Sequence, residues 1–88
     1  MSYNKDTLKK ELNNIIDNIN EYNLFLLYTT LKRYDIYIKK FINNKTLYDI
    51  YVYELYNLVD EYFNGVKENH DNIKNNFKRI INIIIINL

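Results

Sequence analysis

The chain has 88 residues, a net charge of +1 and no cysteine, which bounds it to one small domain without disulfides or thiolate metal sites. Its 48% hydrophobic and 26% charged residues are typical of a globular rather than a disordered protein. Proline is absent, and Gly65 is the only glycine. Because chain-breaking residues are this rare, residues 1–88 are predicted to form a single all-α domain.

Apolar residues in the first half of the chain recur at helical spacing and define two stripes. The first stripe follows a predicted N-cap at Asp6 or Thr7. It consists of Leu8, Leu12, Ile15, Ile16, Ile19 and Tyr22. The second stripe, rotated by roughly a third of a turn from the first, consists of Leu24, Leu27, Leu31, Tyr34, Ile38 and Phe41. A break at residues 20–23 is therefore predicted, since one unbroken helix would require an elongated dimer.

The second half of the chain predicts two more helices. Thr46 followed by Asp49 resembles a capping box and predicts the start of the third. Its apolar residues cover nearly half of the helix circumference, so this helix is expected to have the most neighbours. Gly65 is predicted to end it, and residues 68–72 to form a polar turn. The buried stripe of the fourth helix is predicted to comprise Ile73, Phe77, Ile80, Ile81, Ile84 and Leu88. Four helices with short turns predict a small antiparallel bundle, which is expected to be dimeric.

The residue types that carry most enzyme chemistry are scarce. With one serine, one histidine and one glycine, neither a nucleophilic triad nor a phosphate-binding glycine loop is expected. His70 lies between Glu68 and Asp71, a spacing that supplies too few converging ligands for a metal ion. Adjacent Asp60 and Glu61 diverge by about 100° on a helix and cannot act as an acid/base pair. We therefore predict no enzymatic activity, no metal and no cofactor.

One flank of the predicted third helix combines acids with aromatic residues at steps of four, three, four and three. These residues are Asp49, Tyr53, Tyr56, Asp60 and Phe63. Tyrosine offers a large contact area at low entropic cost and keeps a polar end in water, which suits protein recognition. The stripe is therefore our candidate protein-binding surface. In the alternative interpretation, Tyr56 and Phe63 lie at the edge of the core and the acids only solvate the helix.

The polar side of the predicted second helix is basic. It carries Lys32, Arg33, Lys39 and Lys40, with Lys45 just beyond. The fourth helix adds Lys74, Lys78 and Arg79. Such residues bind phosphate groups, so a nucleic-acid-binding regulator is the alternative function. Asp35 stands four residues before Lys39, where the two side chains are expected to form an ion pair.

Residues 80–88 hold more isoleucine than one helix face can bury. Ile83 and Ile86 fall outside the predicted buried arc, and Ile85 lies on its boundary. Burial of each would contribute about 1.5–3 kcal/mol. The run could serve a homodimer interface, a hydrophobic partner or a membrane surface, or form a β-strand. We favour a homodimer or partner contact at Ile83 and Ile86, because a strand has no mate here.

Frequent Asn, Ile, Lys and Tyr, which have A/T-rich codons, indicate an A/T-rich genome, such as that of a virus, a mobile element, a low-GC bacterium or a parasite. The predicted architecture resembles the small four-helix proteins with which these elements neutralise another protein, such as bacteriocin immunity proteins or phage inhibitors of host defence. The resemblance implies an inhibitor that acts by binding a protein. The N-terminus has no apolar signal segment and no apolar run is long enough to span a bilayer. A cytoplasmic location is expected, in the host cell if the protein is viral.

Overall fold

The chain folds into helices that follow the hydrophobic pattern of its sequence. The computed structural model describes residues 3–64 and 70–88, apart from the side chains of residues 62, 63 and 70. The helices are α1 (Lys5–Asp17), α2 (Leu24–Phe41), α3 (Lys45–Phe63) and α4 (His70–Ile86). Among the described residues there is no strand, and the predicted small all-α bundle is confirmed.

An asparagine caps the N-terminus of each of the first three helices. Its side-chain oxygen accepts a hydrogen bond from the backbone N–H three residues further on, at 2.9 Å for Asn4, 2.7 Å for Asn23 and 3.2 Å for Asn44. Each bond satisfies an amide that has no partner within its own helix. The frequent asparagines of this chain thus include residues that fix where helices begin.

The predicted starts of the first and third helices are wrong by a few residues. Asn4 takes the place predicted for Asp6 or Thr7, and Asn44 takes the place predicted for Thr46. Several short polar side chains compete at each start, and the cap is the one whose oxygen reaches a free amide of the first turn.

The fourth helix also begins earlier than predicted. α4 starts at His70, so Asp71 and Asn72 of the predicted polar turn lie in its first turn. An acidic residue there is favourable, because the N-terminus of a helix carries partial positive charge. The predicted C-cap Gly65 lies outside the described residues.

The predicted break between the first two helices is confirmed. A short 3₁₀ turn, Ile19–Glu21, follows α1, and Tyr22 then adopts an extended conformation with φ −92° and ψ 136°. The radius of gyration is 12.8 Å, close to the roughly 12 Å expected for a compact chain of this length. The alternative of one long helix in an elongated dimer therefore does not hold.

The core consists largely of the predicted stripes. Its buried apolar residues are Leu8, Leu12, Ile15, Ile19, Leu24, Leu27, Leu31, Ile38, Ile42, Tyr51, Leu55, Leu58, Ile73, Phe77, Ile80, Ile81, Ile84 and Leu88. α2 and α4 each pack against three helices, whereas α3 packs mainly against these two. The expectation that α3 has the most neighbours is therefore wrong, because α2 and α4 each pack against one helix more within the described residues.

The isoleucine run is helical through Ile86, so the strand alternative is wrong. Asn87 follows as a turn residue, and its side-chain amide donates to the carbonyl of Ile83 at 2.8 Å. Within the ranges that the structure covers, no helix has both the length and the apolar composition to cross a membrane.

The turn between α2 and α3 is tied to the ends of two other helices. The backbone N–H of Asn43 donates to the carbonyl of Asn87 at 3.0 Å. The Lys5 ammonium donates to the side-chain oxygen of Asn43 at 3.2 Å. One asparagine therefore holds together the start of α1, the end of α2 and the end of α4.

Candidate protein-binding surface

The predicted acidic and aromatic stripe lies on the side of α3 that faces away from the bundle. Tyr53 is 69% exposed and Tyr56 57% exposed, while Asp49 and Asp60 are also exposed. We call these four residues the α3 outer face. The side chain of Phe63, the fifth predicted member, lies outside the described residues. For Tyr56, the alternative of a core-edge position does not hold.

The charge of α3 is mainly negative. The helix contains four acids, and its one basic residue is Lys45 at the first position. Glu54 pairs with Arg79 of α4, with the guanidinium Nη2 3.2 Å from Oε2, and Asp60 accepts a hydrogen bond from the side-chain amide of Asn64 at 2.7 Å. Apart from the Arg79 pair, no ion pair forms within the described part of the chain, so the outer face keeps its negative charge.

The exposed basic residues of α2 spread over an arc of about 120° of the helix surface. Lys32 and Lys39 lie on one stripe of the helix, whereas Arg33 and Lys40 lie about 100° around it. The ammonium of Lys32 lies 5.9 Å from the ring centroid of Tyr56, and that of Lys39 lies 6.0 Å from the centroid of Tyr48 in α3. Two of the four predicted phosphate ligands therefore face α3 and its tyrosines.

An aromatic groove, not predicted from the sequence, lies between α2 and α3. It has a volume of about 210 Å³. The groove residues that carry polar groups are Tyr28, Lys32, Asp35, Tyr48 and Tyr56. Val52 and Leu55 complete its lining. Because Tyr56 also belongs to the α3 outer face, the groove and the outer face adjoin each other.

Asp35 bonds to a tyrosine and not to a lysine. The Tyr48 hydroxyl lies 3.0 Å from each carboxylate oxygen of Asp35 and donates to them. Burial, this hydrogen bond and the Asp35 charge raise the pKa of Tyr48 to about 12, so the phenol keeps its proton at neutral pH. The predicted Asp35–Lys39 ion pair is absent, because Lys39 lies over the Tyr48 ring.

A second tyrosine and carboxylate cluster holds the start of the chain against the bundle. The Tyr3 hydroxyl donates to Glu11 at 2.7 Å, and the Tyr3 ring stacks on Tyr37 of α2 with centroids 4.1 Å apart. Burial and the bond to Glu11 raise the pKa of Tyr3, which keeps the donor protonated. Its role is therefore to fix α1 to α2.

The two isoleucines predicted to be in excess differ in exposure. Ile86 is 80% exposed, as predicted. Ile83 is half-buried and therefore less exposed than predicted, because it shares a small apolar cleft with Leu47 and Ile50 of α3. The expectation that Ile83 lies in water is therefore wrong. We call Leu47, Ile50, Ile83 and Ile86 the α3–α4 apolar patch.

One buried polar atom lacks a partner. Tyr51 is 3% exposed, and its hydroxyl forms no hydrogen bond within the described residues. Its ring centroid lies 6.0 Å from that of Tyr48. Burial raises the pKa of this phenol, and the charge of Asp35 raises it further, so Tyr51 stays neutral.

No metal-binding arrangement is present among the residues described. No cluster of three or more His, Cys, Asp or Glu side chains has the geometry to hold a metal ion there. The side chain of His70, the only histidine, lies outside that part of the chain. The features that remain as candidates for a functional site are the exposed tyrosines, the acids beside them and the groove that they border.

No protein-family model matches the chain. Neither a curated protein nor a solved structure matches it. The candidate site therefore rests on the geometry of this chain alone.

Proposed function

We propose that this protein is a non-enzymatic module that binds another protein through the α3 outer face. The observation that supports this most is the exposure of Tyr53 and Tyr56, two large aromatic side chains three residues apart on one helix face. Asp49 and Asp60 flank them and favour a partner with basic residues. Binding of this kind would inhibit or neutralise the partner by covering its surface, as expected of a viral or mobile-element protein.

Exposed tyrosine pairs of this kind suit the centre of an interface. Tyrosine is enriched among the residues that dominate binding energy, and it loses few rotamers when it becomes buried. Because α3 packs mainly against α2 and α4, its outer face is free along its described length. A partner can therefore approach without rearrangement of the bundle.

We expect the double substitution Tyr53→Ala and Tyr56→Ala to abolish capture of the partner. A hot-spot tyrosine contributes about 2 kcal/mol or more, so loss of both should weaken binding at least several hundredfold. The partner would be identified by affinity purification from the native host with mass spectrometry, and its affinity measured by calorimetry.

The matched control is the pair Phe25→Ala and Ile36→Ala on α2, which removes two equally exposed apolar side chains. This control should retain partner affinity, and both variants should retain the helical circular dichroism signal. Unchanged capture by the tyrosine variant would rule out the α3 outer face as the binding surface.

We further propose that a second copy of the chain covers the α3–α4 apolar patch and forms a homodimer. The patch combines Ile86, which is almost fully in water, with Ile50 and the half-buried Ile83. A two-fold axis through such a patch would bring identical isoleucines together, and their burial favours association.

Light scattering tests the homodimer. We expect a wild-type molar mass of about twice the 10.8 kDa of one chain, and a single-chain mass for Ile86→Glu, because burial of an unpaired carboxylate is unfavourable. Ile86 is preferred to Ile83 because its substitution does not disturb the α3–α4 contact. Ile36→Glu, at another exposed isoleucine, should leave the mass unchanged. A wild-type mass of one chain would contradict the homodimer.

A further inference from the structure

Asp35 is a half-buried carboxylate with no cationic partner within the described residues. Its only hydrogen-bond donor there is the Tyr48 hydroxyl, 3.0 Å from both oxygens. Two carboxylate oxygens accept about four hydrogen bonds. Because Asp35 lines the aromatic groove, a donor that enters the groove can use its remaining lone pairs.

The tyrosines of the groove already attract cations. Lys32 lies over the ring of Tyr56 and Lys39 over that of Tyr48, at 5.9 and 6.0 Å. Both lysines are exposed, and an ammonium group is strongly hydrated, so these contacts are weak. The Lys32 ammonium therefore occupies a cation position that a better-matched group can take over.

The size of the groove suits one side chain. Its volume of about 210 Å³ is below the roughly 300–1,000 Å³ of sites for drug-sized ligands. Among cationic side chains, arginine fits best, because its planar guanidinium stacks on aromatic rings and pairs with a carboxylate through two parallel hydrogen bonds.

We propose that the aromatic groove binds an arginine side chain of the protein partner, with the guanidinium stacked on the tyrosines and paired with Asp35. This inference rests on the proposed function, and it names the residue that anchors the partner. Lys32 swings into solvent when the arginine enters. The acids of the adjoining outer face then meet the basic residues that surround such an arginine.

The binding of a blocked amino acid tests the groove directly. We expect N-acetyl-argininamide to shift the backbone NMR signals of Asp35, Tyr48 and Tyr56 saturably, with a Kd on the order of millimolar for so small a ligand. The lysine analogue should bind more weakly. The citrulline analogue, which has nearly the same shape without the charge, should not bind at the same concentrations.

Two substitutions should change the arginine affinity in opposite directions. Asp35→Asn should weaken it roughly tenfold or more, because a charge-assisted pair is lost. Lys32→Met should strengthen it, because the competing ammonium is removed from an exposed position that does not support folding. Asp17→Asn on α1 removes the same charge at a residue that does not line the groove and should have little effect. Equal binding of citrulline and arginine, or equal weakening by Asp17→Asn, would overturn the inference.

The experiments can contradict the arginine site and the proposed function of the outer face independently of each other. If Tyr53→Ala abolishes partner capture while arginine does not bind and Asp35→Asn captures normally, the inference is wrong and the proposed function stands. If arginine saturates the groove and Asp35→Asn weakens partner capture while Tyr53→Ala, which leaves the groove intact, still captures the partner, the α3 outer face is wrong and the arginine site stands.

Discussion

Replacement of Phe77 by alanine is expected to lower the free energy of unfolding by about 3–5 kcal/mol. Phe77 is 1% exposed and is the largest of the fully buried side chains. It lies on α4, which packs against each of the other three helices, so the cavity would adjoin several elements. A chain of this length has a total stability of roughly 4–13 kcal/mol, and the loss is thus a large part of it.

Urea denaturation followed by circular dichroism measures this effect. Phe25→Ala is the matched control, because it makes the same chemical change at a residue that is 59% exposed on α2. The control should change the unfolding free energy by no more than about 0.5 kcal/mol. Similar losses for both variants would mean that Phe77 is not a core residue.

Replacement of Tyr51 by phenylalanine is expected to stabilise the protein. The substitution removes only the hydroxyl that is buried without a hydrogen-bond partner, while the ring continues to fill the core. Leaving such a group unpaired costs about 1–3 kcal/mol. The unfolding free energy should therefore rise by about 1 kcal/mol or more, which is unusual for a core substitution.

Tyr48→Phe is the control for this prediction, because the same change there should destabilise. Its hydroxyl donates to Asp35 in the folded protein. The pKa of Tyr48 is raised from 10.0 to about 12, so its contribution to stability is fully present below pH 10 and is lost as the pH rises through about 12. A loss of stability in Tyr51→Phe would show that a partner, such as a buried water, satisfies its hydroxyl.

Hydrophobic periodicity predicted the fold well. Most residues of the predicted stripes became the core, because a helix with one apolar face has few other ways to bury it. The exact helix starts were less predictable. Asn4, Asp6 and Thr7 are all good caps, and only the backbone geometry decides which oxygen meets a free amide.

The candidate site was predictable only where it depends on one helix. The exposure of Tyr53 and Tyr56 follows from their position relative to the buried stripe of α3. The groove depends on how α2 and α3 pack, and local spacing was misleading there. Asp35 has a lysine four residues away, yet it bonds to Tyr48, thirteen residues away in sequence. Ile83 was similarly misjudged, because a neighbouring helix covers part of its surface.

The hydrogen bond between Asn43 and Asn87 has a consequence for the exchange of backbone hydrogens with solvent. Amides in turns normally exchange quickly, because small local fluctuations expose them. The Asn43 amide is held by the Asn87 carbonyl just after α4, so it exchanges only when the turn and that end of the chain separate. We therefore expect the Asn43 amide to exchange more slowly than other turn amides, although its partner is far away in sequence.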